Sequence, residues 1–239
     1  MSKSQVFAHR GASGSHFENT MSAFQAAAKK GADGIELDVQ QTKDGQLVVI
    51  HDDNLLRLAG IDQQVDNLTA EELGQIRIGK GGSRFLFGHP IPILFDVISF
   101  CQQNGLSLNI ELKETVYGQP AVIERILHYI EGVPDVHISS FDYPTLQLVR
   151  QQDPSVETAL LLKKATVDWE CLPAYDVDAF HFHKRLWKEP YLTPLLESQK
   201  TLRMYGVTGK ESFLSQSPQI EGWITDYPAR VQRKIKGSR

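Results

Sequence analysis

The chain has only two cysteines in 239 residues, Cys101 and Cys171, and they form no C-x-x-C pair. No disulfide framework follows from them, and they read as reduced, packed thiols of a cytoplasmic protein. No run of about 18 apolar residues is present, so no membrane span is expected. Lys3 to Gln5 lead straight into a strand pattern without an apolar leader. Positive charge is not in excess either: a net charge of −4 gives no electrostatic case for nucleic acid as a partner. Repeats, low-complexity tracts and linkers are also lacking. What remains is an ordinary composition, 41% hydrophobic and 23% charged, in a chain long enough to bury a sizeable core.

Short apolar runs alternate with amphipathic stretches along nearly the whole length. Strands are expected over 5–9, 33–40, 46–51, 107–112, 136–140, 157–162, 178–183, 201–207 and 220–225. Helices are expected over 20–30, 94–104, 119–131, 143–152, 167–174, 190–198, 210–216 and 227–236. Such alternation indicates parallel β and βαβ units. A (β/α)8 TIM barrel, one domain over residues 1–239, is the natural closed solution, with residues 46–51 in a hairpin near the second strand. The alternation breaks between about Asp52 and Pro92, which reads as a small insertion over the barrel mouth. It holds a weak helix from Thr69 to Ile76, with Thr69 as N-cap. Its glycine-rich loop, Gly79 to Gly88, lacks the spacing of a phosphate-cradling P-loop. Phe85, Leu86 and Phe87 read as the insertion's own small core, with contact to a lipid-like substrate as the other reading.

The chemistry is concentrated in four short segments. Side chains alternate across a strand, so in Ile35-Glu36-Leu37-Asp38-Val39 both acids share a face opposite three apolar residues. The same spacing groups Asn109, Glu111 and Lys113. If Glu36, Asp38 and Glu111 converge, three bare carboxylates repel and take up protons, a conflict that a divalent cation removes. All-oxygen ligation suits Mg²⁺ or Ca²⁺, with Mn²⁺ also admissible, better than zinc. His9-Arg10-Gly11 follows a short strand, and His51-Asp52 ends another. The planar fork of Arg10 suits a phosphate oxygen pair. His9 and His51 can serve the two sides of an in-line displacement at phosphorus as base and acid.

Taken together, the motifs resemble those of the glycerophosphodiester phosphodiesterase family, over nearly the full length. His9-Arg10-Gly11 with Glu18-Asn19-Thr20 opens the match, and Gly34-x-Glu36-x-Asp38-Val39 with Asp44-Gly45 and His51-Asp52 continues it. Leu68-Thr69, Ile91-Pro92, Glu111-x-Lys113, Ser139-Ser140-Phe141-Asp142 and Ile224-Thr225-Asp226-Tyr227-Pro228 follow in order. The resemblance implies a barrel with a small inserted segment. It also implies metal ligation by Glu36, Asp38 and Glu111, acid/base roles for His9 and His51, and phosphate contacts from Arg10 and Lys113. The implied reaction is hydrolysis of a glycerophosphodiester to sn-glycerol 3-phosphate and an alcohol. Departures lie at Phe17, at Arg57-Leu58-Ala59, at Tyr205-Gly206-Val207-Thr208 and at Ile220 to Gly222, and none is expected to touch the metal or proton-transfer groups.

His181 and His183 share a strand face near its end; His183, with Tyr205 and Trp223, is a candidate pocket-wall contact. Each also has an ordinary reading, as a hydrogen-bonded core histidine or as aromatic packing. The partner is thus a small-molecule diester. A lysophospholipase D-type activity on single-chain lipids and a catalytically silent phosphodiester-binding barrel are the rival readings. Oligomeric state, the preferred alcohol and the nucleophile, water or a glycerol hydroxyl, do not follow from the sequence.

Overall fold

The computed structural model describes residues 4–237 and, for residues 83–85, the backbone alone. Nine strands are present among these residues: β1 Gln5–His9, β2 Gly34–Gln41, β3 Leu47–Val49, β4 Ser107–Leu112, β5 Val136–Ser140, β6 Glu157–Leu162, β7 Ala179–His183, β8 Thr201–Tyr205 and β9 Ile220–Thr225. All neighbours pair in parallel except β2 and β3, which form an antiparallel hairpin. Strand β1 pairs with β2 on one side and β9 on the other, which closes eight parallel strands into a (β/α)8 barrel.

Period-2 patterning decides which face goes inward. Ile35, Leu37 and Val39 of β2 and Leu108, Ile110 and Leu112 of β4 are fully buried in the layer under the helices. Each such side chain stabilises the fold by about 1.5–3 kcal/mol. Their alternates, Glu36, Asp38, Asn109 and Glu111, therefore face the barrel axis. Helices start and stop where capping chemistry allows. The Thr20 hydroxyl accepts from the Ala23 amide, Asp142 accepts from that of Thr145, and Gly105 ends helix 94–104 in the left-handed region. No helix of the described residues is long and apolar enough to cross a membrane.

The insertion carries its own apolar cluster: Leu55, Leu58, Val65, Leu73 and Ile78 pack with Val48 and Ile50 beside β3. Thr69 caps helix 70–74 in a full capping box with Glu72. Leu86 and Phe87, expected in that core, are instead 82% and 78% exposed, because the cluster is already filled from the preceding segment. The side chain of Phe85 lies outside the described residues. Two expected helices are single 3₁₀ turns, Leu172–Ala174 and Ser212–Ser215. Pro173 restricts the first. At the second, Glu211 folds back onto the amides of Thr208, Gly209 and Lys210, a tight turn that uses the donors a longer helix would need. Cys101 is buried, and burial pushes its thiol up to about 12; Cys171 is exposed rather than packed, since its 3₁₀ turn lies at the surface.

Candidate active site

Strand β1 delivers His9 to the carboxyl end of the barrel, and the chain then reverses through left-handed conformations at Arg10 (φ 53°) and Gly11 (φ 78°). A side chain at Gly11 would meet the backbone of Ala23 at 2.7 Å, so glycine is required there. The reversal aims the Arg10 amide at Glu36 Oε2, to which it donates at 2.7 Å. The Arg10 guanidinium lies between Glu18 (2.8 Å) and Asp38 (3.1 Å). Asn19, also in the left-handed region, donates to Asp38 Oδ2 at 2.7 Å.

Register places Glu36 beside Asn109 and Asp38 beside Glu111. Oxygen atoms of Glu36, Asp38 and Glu111 lie within 4.8 Å of one another, and all three residues are buried. Burial raises Glu36 well above the carboxylate range, with the charges of Asp38 and Glu111 adding to it. Glu111 is raised by burial and by Asp38. Asp38 moves the other way: Arg10 and Lys113 outweigh its burial. Lys113 donates to Glu111 Oε1 at 2.8 Å and stands 3.7 Å from Asp38 Oδ1, which has no hydrogen-bond partner. Three crowded carboxylates, two of them driven toward the proton-bound form, with an orphaned oxygen among them, fit a hard divalent cation.

Two histidines flank this cluster, each backed by an acid. Nδ1 of His9 lies 2.7 Å from Asp226 Oδ1, which also accepts from the Ser13 hydroxyl. Burial would lower His9, but the charge of Glu36 and the Asp226 contact hold it above its ordinary value. Nδ1 of His51 lies 2.6 Å from Asp52 Oδ1. Asp52 is further gripped by Arg57 through two bonds of 2.6 and 2.8 Å; the hydrogen bonds from Arg57 and His51 outweigh its partial burial and hold its carboxyl down at about 2. The same guanidinium grips Glu18 at 2.8 and 2.9 Å, joining the His51 arm to the Arg10 arm. The second ring nitrogen of each histidine is thus free for proton exchange with a ligand. The cavity between them is about 170 Å³, walled by these groups with Asn109, Phe141, Leu161, His181, Tyr205 and Ile224.

The match to known proteins is extensive. Residues 9–229 fit the model of the glycerophosphoryl diester phosphodiesterase family. The chain belongs to that family. A glycerophosphodiester phosphodiesterase of Bacillus altitudinis is 33% identical, over 95% of this chain and 96% of that protein. One from Caldanaerobacter subterraneus is 37% identical, over 76% and 77%. In structure, an Oleispira antarctica phosphodiesterase in complex with the product sn-glycerol 3-phosphate superposes with a TM-score of 0.86 at 26% identity, covering 97% of this chain and 96% of that one. This family member is accordingly an enzyme of the phosphodiester hydrolase class.

Of the residues picked out by sequence, His9, Arg10, Glu36, His51, Glu111 and Tyr205 wall the cavity, and Asp38 lies directly against Arg10 and Lys113. Lys113 directs its ammonium at the carboxylates. His183 stands outside the cavity wall: its ring accepts from the Arg185 amide, packs on Tyr205 and covers Gly206 so closely that any β-carbon there would clash. Trp223 does not face the site. Gly222 and Ile224 take the inward positions of β9, which turns Trp223 outward to stack on Phe213 in the apolar layer. Missed as site residues were Asp226, Ser13, Asn19, Glu18 and Arg57. The dipeptide His51-Asp52 and the acid following β9 were visible signals, but only barrel closure brings Asp226 to a histidine 217 positions away.

Proposed function

We propose that this phosphodiesterase hydrolyses glycerophosphodiesters to sn-glycerol 3-phosphate and an alcohol, within one barrel domain that carries the 52–92 insertion. The observation that carries the reading is the pair of carboxylate-backed histidines, His9–Asp226 and His51–Asp52, on either side of the Glu36/Asp38/Glu111 cluster. The product bound to the Oleispira relative supports the choice of substrate.

Glu36, Asp38 and Glu111 would hold a divalent cation, Mg²⁺ or Ca²⁺ by their donor chemistry, supplying Lewis acidity toward a phosphoryl oxygen. Arg10, fixed by Glu18 and Asp38, meets the phosphoryl group with its remaining donors, and Lys113 adds positive charge behind the carboxylates. One histidine removes the proton of the attacking nucleophile, and the other protonates the departing oxygen. Asp226 and Asp52 hold each imidazole in the tautomer that leaves its outer nitrogen toward the cavity. Both dyads and all three acids are present, so a silent binding barrel has no missing group to explain it. A single-chain lipid needs a long apolar channel, whereas this cavity is small, about 170 Å³, with Phe141, Leu161 and Ile224 as its apolar wall.

The test is product analysis with glycerophosphocholine. Sn-glycerol 3-phosphate with choline supports the reading; phosphocholine with glycerol, or turnover of lysolipids alone, overturns it.

A further inference from the structure

Six large apolar side chains are more than a third exposed among the described residues, and four of them, Leu56, Ile61, Leu86 and Phe87, belong to the 52–92 insertion. Leu86 and Phe87 are the most exposed of all and stand side by side at the end of a short helix, Arg84–Phe87. Their loop is closed at its base by paired backbone hydrogen bonds between Ile78 and His89, of 3.0 and 2.9 Å, and by the Gly79 amide donating to the Leu58 carbonyl. Ile78 and Leu58 belong to the insertion's filled core, so the base of the loop is anchored while its tip stays in solvent. A single exposed apolar side chain is ordinary; an adjacent pair held out on an anchored loop and rimmed by polar groups marks an interaction surface.

The surface next to this tip is basic. A second cavity, of about 360 Å³, is walled by Ser13 to Phe17 on one side and by Lys80, Phe87 and His89 on the other. It shares none of its described wall residues with the active-site cavity. No acid is among the described residues that line it, although the chain carries a net charge of −4. Lys30 brings a further charge: its ammonium donates to the Ser15 hydroxyl, which lies 3.0 Å from His16 Nδ1. His89 is held by stacking on Phe17, with 6.5 Å between ring centroids. Slight burial and the charges of Lys30 and His89 hold His16 below its ordinary value, so these groups are close enough to repel as cations. An anion relieves that repulsion. Phe87 belongs to both features, as part of the cavity wall and part of the exposed tip.

An apolar tip beside a cationic hollow is the combination that an anionic bilayer satisfies. Aromatic and aliphatic side chains enter the acyl boundary while the cations meet headgroup phosphates. A free phosphate fills the hollow but leaves Leu86 and Phe87 in water. We propose that the insertion docks this protein on an anionic lipid surface, with Leu86 and Phe87 in the interface and a lipid phosphate in the hollow of His16, Lys80 and His89. Ser13, on the wall of the hollow, also donates to Asp226 of the active site at 3.0 Å, so docking sets the active-site mouth beside that surface. A glycerophosphodiester is what remains of a glycerophospholipid once both acyl esters are hydrolysed, so a docked hydrolase meets its substrate where such deacylation releases it. The lipid is here a surface and not a substrate.

The test is co-sedimentation of the full chain with vesicles of phosphatidylcholine alone or of phosphatidylcholine and phosphatidylglycerol in equal parts. Partition onto the anionic vesicles exceeds that onto phosphatidylcholine by about tenfold or more and falls as salt rises. Leu86→Ser with Phe87→Ser lowers it by about tenfold or more. Lys80→Gln with His89→Gln brings the preference for anionic vesicles toward unity. Thermal unfolding is the folding control, and turnover of soluble glycerophosphocholine is unchanged in both paired variants. A wild type that does not sediment with anionic vesicles, or binding that survives in both paired variants, overturns the proposal. So does a wild-type dimer that Leu86→Ser with Phe87→Ser makes monomeric in the absence of vesicle binding, which assigns the face to a second copy. Inorganic phosphate that binds through Lys80 and His89 without any vesicle binding likewise overturns it in favour of a free anion. Vesicle binding by a protein that hydrolyses no glycerophosphodiester removes the hydrolase reading and leaves the docking surface standing.

Discussion

Asp226→Asn isolates the support that one carboxylate gives to His9. The variant keeps the shape of the side chain and removes its charge, so the contact of 2.7 Å to His9 Nδ1 loses its charge-assisted character. Hydrogen bonds to charged groups contribute about 1.5–3 kcal/mol, and each 1.36 kcal/mol is tenfold in rate, so kcat falls by about 10- to 150-fold. The pH profile must move as well. Asp226 is one of the groups that hold His9 above its ordinary value, against burial and Arg10. Removing that charge lowers the His9 pKa, and the limb belonging to His9 shifts to lower pH. The assay is release of sn-glycerol 3-phosphate from glycerophosphocholine at saturating substrate across pH 5–9 (about two units either side of neutrality), with thermal unfolding as the control for folding. A kcat within twofold of wild type with an unmoved limb refutes the dyad.

Other consequences are open to measurement. Glu36→Gln removes one of three crowded acids; in chelator it melts at or above the wild-type temperature. Added Mg²⁺ or Ca²⁺ at a hundredfold over Kd stabilises the wild type by about 2.7 kcal/mol and leaves the variant unshifted; equal shifts contradict the ligand assignment. Arg57→Ala frees both Asp52 and Glu18 and lowers kcat several-fold, and Arg57→Lys restores it only in part, because an ammonium cannot bridge two carboxylates bidentately. Full activity in Arg57→Ala contradicts the bridge. Replacing Leu86 and Phe87 with serine changes stability by no more than about 0.5 kcal/mol, whereas Leu58→Ala costs about 2–5 kcal/mol by denaturant unfolding.

What was legible in the sequence was local. Alternation in β2 and β4 put the acids on one face, and those strands supply the cluster as expected. The N-cap signal at Thr69 lies where its helix begins. What escaped depends on distant pairing or on competition between neighbours. Asp226 reaches His9 only because β9 closes on β1. Trp223 looked like a pocket residue by its position at a strand end, yet Gly222 and Ile224 set the opposite parity. The apolar run at Leu86-Phe87 read as core, but Leu55, Leu58, Val65 and Leu73 had already filled the insertion. His181 was visible as one of a pair, and only the three-dimensional wall separates it, inside, from His183, outside.

The central claim, a metal-assisted glycerophosphodiester hydrolase with its ion on Glu36, Asp38 and Glu111, is tested most directly by release of sn-glycerol 3-phosphate from glycerophosphocholine by metal-stripped protein. Mg²⁺, Ca²⁺ or Mn²⁺ is then added back, with Glu36→Ala run alongside. Activity that is lost on stripping, restored by a divalent ion in the wild type and absent throughout in Glu36→Ala is the predicted result. Undiminished turnover in the stripped protein, or restoration in Glu36→Ala to the wild-type level, contradicts it.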